Sequence, residues 1–307
     1  MSRPTFSCFV IGSDTLLTEC TGHLADQGHD VRGVITDTPR IATWARDRGF
    51  AVVAPEAMLD VLASDPFDHL FAITWLRLLP DALLDLPRGM AINFHDGPLP
   101  ARAGLNVPAW GLMDGATDWA VTWHEIVTGI DTGGILLETP VPVADDDTSL
   151  SLNMKCFAAA RDGFPALVAE LAAGTLVARP QPDGERRIHY RSDRPDRAGL
   201  LDWRRPAREL ANRVRALDFG PYANPLGRAK LLDGAHGGWI VVGARAYGDD
   251  SGEGAPEPGT VIARDETGWT IATGAGRLLI TALSTLTGTP VEPGAPETRA
   301  LPALAPG

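Results

Sequence analysis

Five short apolar runs in the first 95 residues, separated by segments of helical character, constrain this chain more than any other feature. Phe6–Ile11, Val31–Thr36, Phe50–Val53, His69–Thr74 and Met90–His95 read as strands. Between them, Asp14 to Gln27, Pro39–Arg48, Ala57–Ala63 and Leu79–Leu84 read as helices. Strand and helix in alternation imply a parallel sheet built from right-handed crossovers, because each helix must cover a sheet face on its way to the next strand. Two further strands follow at Ala120–Ile126 and Ile135–Val143. Asp147-Thr148 then offers a cap for a long helix over about Ser149 to Ala172, with Leu152, Cys156, Ala159 and Phe164 near helical spacing.

The character changes at Pro180-Gln181-Pro182-Asp183-Gly184, which reads as a hinge. Arg205–Leu217 is a basic amphipathic helix with Leu210, Val214 and Leu217 on one face. Short strands follow at Trp239–Ala246, Gly259–Arg264, Trp269–Thr273 and Arg277–Leu283, with glycine-rich turns between them, as in a small barrel. Residues 248–259 read as an exposed loop, and residues 288–307 hold five Pro without apolar periodicity. The expected architecture is α/β. A Rossmann-like parallel-sheet domain spans 1–184, a small OB-like β-barrel domain with a basic entry helix spans 185–287, and 288–307 is a linker or tail.

With 307 residues, 44% hydrophobic and 21% charged, the chain has globular composition. No apolar run reaches the roughly 18 residues of a membrane span, and the N-terminus lacks a signal-peptide pattern. Cys8, Cys20 and Cys156 are odd in number and lack CxxC spacing, as expected of reduced thiols in a cytoplasmic protein. The net charge of −12 is uneven: residues 1–184 carry −13, while 186–230 hold 12 basic and 5 acidic residues. That segment suits an anionic partner, and equally an ordinary solvated helix face with local ion pairs.

Chemistry concentrates at Asn93-Phe94-His95 and, 36 positions later, at Asp131 in Gly129-Ile130-Asp131-Thr132-Gly133. Alternation along a strand puts Asn93 and His95 on one face, and Asp96-Gly97-Pro98 then breaks the strand. An amide, an imidazole and a carboxylate at the C-terminal end of such a strand can form an oxyanion hole with its own proton relay. Ile11-Gly12-Ser13-Asp14 is not a GxGxxG turn, so no dinucleotide site is expected there. His23, His29 and His69 lack ligand spacing, and His124 and Glu125 are strand neighbours pointing to opposite faces, so no metal site is expected.

Together with Ile73-Thr74-Trp75-Leu76-Arg77-Leu78-Leu79-Pro80, Val121-Thr122-Trp123-His124 and Leu201-Asp202-Trp203 through Phe219-Gly220-Pro221-Tyr222, these motifs resemble the 10-formyltetrahydrofolate-dependent formyltransferases. Within that superfamily, which includes the methionyl-tRNA enzymes, Gly97-Pro98-Leu99-Pro100 and Ala103-Gly104-Leu105-Asn106 look most like formylation domains of nonribosomal peptide and polyketide synthases. The tRNA enzymes usually carry Ser and Arg where this chain has Gly97 and Ala103. The resemblance implies Asn93, His95 and Asp131 as catalytic residues. It also implies a pterin slot lined by Arg77, Leu78, Leu79, Val127, Thr128, Gly129 and Ile130, an acceptor entry at Arg102, Gly104 and Asn106, and no metal. The formyl donor would be 10-formyltetrahydrofolate.

The acceptor implied is an aminoacyl group on the phosphopantetheine arm of a carrier protein. Initiator methionyl-tRNA and a nucleotide-linked amino sugar are rival acceptors. A hydrolase passing the formyl group to water, and a non-catalytic folate-binding domain, are readings of other classes. The second domain argues for a large acceptor, and the intact Asn93, His95 and Asp131 argue for catalysis.

Overall fold

The computed structural model describes residues 4–233, 237–248 and 255–291. The chain divides into two compact units. The first comprises 1–107, 118–142 and 153–190; the second comprises 108–117, 143–152 and 191–307.

The first unit is built on β1 (Ser7–Gly12), β2 (Asp30–Ile35), β3 (Val52–Val53), β4 (His69–Ile73), β5 (Ala91–His95), β6 (Arg102–Gly104), β7 (Asp118–Glu125), β8 (Ile135–Pro142) and β9 (Arg187–His189). Helices α1 (Thr15–Asp26), α2 (Pro39–Asp47), α3 (Met58–Ser64) and α4 (Asp81–Leu84) connect the first five strands. Seven strands form one sheet in the order β3-β2-β1-β4-β5-β7-β8. The first five run parallel, as the alternation demands. The last two form an antiparallel hairpin laid against β5, so the sheet is mixed.

Two devices fix the local path. Gly12 ends β1 where any Cβ would collide with the Ile73 carbonyl, so only glycine lets β1 approach the end of β4. Asp14 caps α1 by accepting from Thr15 N at 2.6 Å. The sheet faces are closed by aromatic contacts. Phe94 meets Trp123 at 5.4 Å between ring centroids, and Trp123 meets Phe164 at 5.1 Å. Truncating a fully buried aromatic such as Trp123 would cost about 3–5 kcal/mol.

Three residues of α5 (Val107–Met113), Ala109, Trp110 and Met113, pack in the core of the second unit. The long helix α6 (Ser149–Ala173) begins as its cap predicts, with Thr148 N donating to Ser151 Oγ and Ser151 N to Thr148 Oγ1. The second unit adds α7 (Ala207–Ala216) and strands β10 (Lys230–Asp233), β11 (Gly237–Tyr247), β12 (Val261–Asp265), β13 (Gly268–Ala272), β14 (Arg277–Thr285) and β15 (Pro290–Val291). They form an antiparallel sheet in the order β10-β11-β14-β13-β12, with β15 on β14. Leu210 and Val214 of α7 join Trp203, Trp269, Ile271, Leu278 and Ile280 in one core. Most of the loop expected at 248–259 and of the tail expected at 288–307 lies outside the described residues. Among the described residues no helix is long and apolar enough to cross a membrane.

Candidate active site

The site is assembled by one cross-strand register. β5 pairs antiparallel with β7 so that Asn93 faces His124, Phe94 faces Trp123 and His95 faces Thr122. Residues directly opposite in such a pair share a sheet face. Phe94 and Trp123 therefore enter the core, and Asn93, His124 and His95 gather on the other face. Asn93 Nδ2 lies 3.1 Å from His124 Nε2. His95 is 4% and His124 2% exposed, so both imidazoles are shielded from water. Alternation along β7 alone gives His124 no role, because it says nothing of the residue paired with it across the ladder. The signal that finds it is the antiparallel return of β7, which pairs Asn93 with an imidazole.

Asp131 arrives from the loop joining β7 to β8. Its backbone has φ 48°, and Gly129 has φ 115°, conformations that turn the chain back over the end of β5. A Cβ at Gly133 would collide with the Glu125 carbonyl. Gln181 Nε2 donates to the carbonyls of Asp131 at 2.7 Å and Gly133 at 2.8 Å. Arg186 donates to the Asp131 carbonyl at 3.3 Å and also to that of Ile130. The segment that reads in sequence as a hinge thus belongs to the first unit and clamps the Asp131 loop.

The carboxylate sits between the two histidines. Asp131 Oδ2 lies 3.6 Å from His95 Nδ1 and accepts from Gly104 N at 2.7 Å, and Oδ1 lies 3.5 Å from His124 Nε2. Burial pushes its pKa up, but the charge of His95 and the Gly104 N–H, with the polar surroundings of the site, outweigh that and hold it well below the usual carboxylate range. Asp131 is therefore ionised at any working pH. Asp96, next after His95, is shifted the other way, chiefly by burial.

Residues expected at the acceptor entry reach the site through their backbone. His95 Nε2 lies 2.6 Å from the Arg102 carbonyl and so donates to it. Gly104 has φ 89°, its N–H anchors Asp131, and a Cβ there would collide with the His189 carbonyl. These bonds follow from the parallel pairing of β6 with β9, an element absent from the sequence reading. Asn106 has φ 56°, a left-handed conformation that asparagine tolerates.

Of the residues expected around a pterin, Arg77 pairs with Asp37, and its guanidinium lies 4.5 Å above the Trp75 ring. Leu79 packs into the core with Trp75, Leu84 and Ile126. Leu78 is 76% and Val127 44% exposed. Thr128 Oγ1 donates to Asp81 Oδ1 at 3.3 Å, which ties the 127–130 loop to the start of α4.

The sequence matches two family models, one described as formyl transferase over residues 42–168 and one as formyl transferase, C-terminal domain, over 196–294. The methionyl-tRNA formyltransferase of Burkholderia pseudomallei (strain 668) is 34% identical over 267 residues, which cover 82% of this chain and 78% of that one. The chain belongs to the formyl transferase family. The methionyl-tRNA formyltransferase of Thiobacillus denitrificans is 35% identical to this formyltransferase over 227 residues, 74% of this chain and 69% of its own. Solved structures share the fold. WlaRD, a sugar 3N-formyl transferase crystallised with dTDP and 5-N-formyl-THF, superposes with a TM-score of 0.71 at 15% identity, covering 90% of this chain and 97% of that one. An N-formyltransferase from Helicobacter canadensis in complex with folinic acid and dTDP-3-aminofucose gives 0.67 at 14%, covering 92% and 99%. The first matched segment contains Asn93, His95, His124 and Asp131, so the polar cluster of this formyltransferase lies inside the family's own region.

Proposed function

We propose that this formyltransferase moves a formyl group from 10-formyltetrahydrofolate to the amine of an aminoacyl group carried on the phosphopantetheine arm of a carrier protein. The observation that carries the chemistry is buried His95 at the end of β5, 3.6 Å from the half-buried Asp131, with the Asn93 amide on the same strand face.

Attack of a neutral amine on the formyl carbon places negative charge on the formyl oxygen. Asn93 Nδ2 and an N–H of His95 are the donors for that oxygen. His95 Nε2–H must then exchange the Arg102 carbonyl, at 2.6 Å, for the oxygen. Asp131 keeps the ring oriented from the Nδ1 side and accepts a proton from the attacking ammonium, directly or through water. The new C–N bond forms first, giving a tetrahedral carbon; the bond to folate N10 then breaks as the oxyanion collapses, and the proton lost by the acceptor amine ends on N10.

The residues present suit a flat donor. Leu78 and Val127 offer exposed apolar surface, and the 127–130 loop offers backbone groups beside it. Because Arg77 is engaged by Asp37 and Trp75, that segment serves through its backbone and Leu78. Arg102, Gly104 and Asn106 stand as the acceptor entry.

One feature supports a carrier-bound acceptor: the entry segment has Gly97 and Ala103 where the tRNA enzymes usually carry Ser and Arg. Methionyl-tRNA is the second reading, favoured by relatives of that name at 34% identity. The test is single-turnover formyl transfer from 10-formyltetrahydrofolate to aminoacyl-carrier proteins, methionyl-tRNA, an amino-sugar nucleotide and water, at equal acceptor concentration. Fastest transfer to an aminoacyl-carrier is expected. Faster transfer to methionyl-tRNA or to the sugar would overturn the acceptor, and release of formate alone would overturn transfer itself.

A further inference from the structure

We infer that His124 is a positioning residue: as a neutral imidazole with its proton on Nδ1, it sets which end of the Asn93 amide faces the reacting oxygen. The inference rests on the oxyanion reading of Asn93 given above.

The tautomer follows from what each ring atom touches. His124 Nδ1 lies 2.6 Å from the Glu125 carbonyl oxygen, which can only accept, so Nδ1 carries a proton. Nε2 has two neighbours with opposite demands. Asn93 Nδ2, at 3.1 Å, needs a lone pair; Asp131 Oδ1, at 3.5 Å, would need a proton. The first distance is that of a hydrogen bond and the second is at its outer limit. Gly104 N, at 2.7 Å, bonds the other carboxylate oxygen, Oδ2, so the choice at Nε2 rests on the two distances. The lone pair on Nε2 therefore meets Asn93, and the Asp131 carboxylate stays beside it as a charge.

The consequence falls on Asn93. The nitrogen and oxygen ends of an amide have nearly the same shape, so sterics do not choose between them; their partners do. An acceptor at Nε2 holds the nitrogen end toward His124, whose Nε2 also lies 3.5 Å from Asp131. One N–H goes to His124 and the other stays available to the formyl oxygen. A donor at Nε2 would draw the amide oxygen to that place instead, and an amide oxygen repels a developing oxyanion. Burial enforces the choice, since His124 is only 2% exposed and so shielded from bulk water. The arrangement needs β7 to run antiparallel with His124 in register with Asn93.

The test compares His124→Met, which fills the space without an acceptor, with His124→Gln, whose carbonyl can take the place of Nε2. A lost oxyanion donor costs roughly 10²–10³ in rate, and an unpinned amide keeps the useful orientation part of the time. His124→Met should therefore lower kcat about 10–100-fold while both KM values stay within about twofold. His124→Gln should recover most of that loss. Because His124 acts through Asn93, the double variant Asn93→Ala/His124→Met should be no slower than Asn93→Ala alone. Multiplied losses in the double variant would overturn the inference while leaving the role of Asn93 intact. Wild-type turnover in Asn93→Ala would instead sink the oxyanion reading and this inference with it. ¹⁵N NMR of histidine-labelled wild-type enzyme gives an answer free of folding defects: a protonated Nδ1 with bare Nε2 at His124 is expected, and a proton on Nε2 would refute the assignment.

Discussion

Asp131 in the first unit and Asp202 in the second are both carboxylates held well below their usual pKa, and the reasons differ. Asp202 meets Arg204 in a fork, Nε to Oδ1 at 2.8 Å and Nη2 to Oδ2 at 2.9 Å, and those bonds bring it down to about 2. Asp131 must first overcome burial, and is brought down by His95 and the Gly104 N–H. A guanidinium does not release its proton, so the Asp202 pair is electrostatically closed. An imidazole does, so the charge on Asp131 remains coupled to a group that can exchange protons. The same contrast extends over the arginine-rich segment. Arg205 meets Glu209 at 3.0 Å, Arg208 meets Asp145 at 3.3 Å and Arg213 meets Asp196 at 3.9 Å. Glu209 and Asp196 are already counted within 186–230, so of these pairs only Arg208 with Asp145, outside the segment, lowers its excess of basic over acidic residues.

The largest expected effect breaks the comparison between the two acids. Asp131→Asn and His95→Ala should each lower the single-turnover rate by roughly 10²–10³, the scale of losing a group aimed at the transition-state charge. Asp202→Asn should leave that rate within about twofold, because its partners are arginines of the second unit. Circular dichroism checks that each variant is folded. More than about a tenth of wild-type rate in Asp131→Asn would remove the distinction drawn here.

Next in size is the difference among the arginines themselves. Arg215 donates to the Asp147 carbonyl at 3.0 Å, to Ala144 O at 3.4 Å and to Asn212 Oδ1 at 3.0 Å, and burial lowers its pKa. It is a structural residue. Arg215→Glu should cost about 1–3 kcal/mol in urea unfolding, because it leaves those carbonyls unpaired. Arg208, 73% exposed beside an Asp145 that is 94% exposed, should be replaceable by Glu with no measurable change in midpoint. Arg208→Glu is therefore the clean probe of acceptor docking. If the segment steers an acidic carrier, this variant raises the KM for the carrier, leaves the KM for 10-formyltetrahydrofolate unchanged, and weakens the dependence of kcat/KM on salt. An unchanged carrier KM at low salt would count against steering by this face.

What the sequence made legible follows the range of each interaction. The parallel strands, the α6 cap and the common face of Asn93 and His95 depend on spacings of a few residues, and each can be read from the chain. Asp131 is legible by a different route, as part of a recognisable motif. The contribution of His124 was hidden, because it depends on the register of two strands some 30 residues apart, and period-2 reasoning about His124 and Glu125 says nothing of what lies across the ladder. The β6–β9 pair was hidden for the same reason: three-residue strands carry no periodicity, and they pair 85 positions apart. The basic segment is legible in the sequence only as a count of charges. Counting charges along a chain does not reveal that Arg204 and Asp202 face one another.

The smallest expected effect concerns a third pair of ionisable groups, remote in character from both acids. His29 Nδ1 accepts from Phe6 N at 3.3 Å, and the ring stacks on Phe6 at 3.9 Å; His69 Nδ1 accepts from Met90 N at 3.0 Å. Both bonds need an unprotonated Nδ1, and burial lowers the pKa of both rings. The sign follows from linkage. With folded values below the unfolded value of about 6.5, the unfolded chain binds more protons as pH falls, so this stability is complete above about pH 6.5 and declines below it. Asp131, depressed in the folded state, contributes stability that is present above about pH 4 and is lost only below that. The interval from about pH 6.5 to 4 therefore isolates the two histidines from Asp131. Replacing both by Asn keeps an acceptor oxygen near each backbone N–H but removes the titration. Urea unfolding of the wild type should weaken as pH drops through that interval, and the double variant should show a flatter dependence. Equal slopes would mean that some other group carries the proton uptake, and that the contrast between buried titrating groups and closed surface pairs does not extend to this end of the sheet.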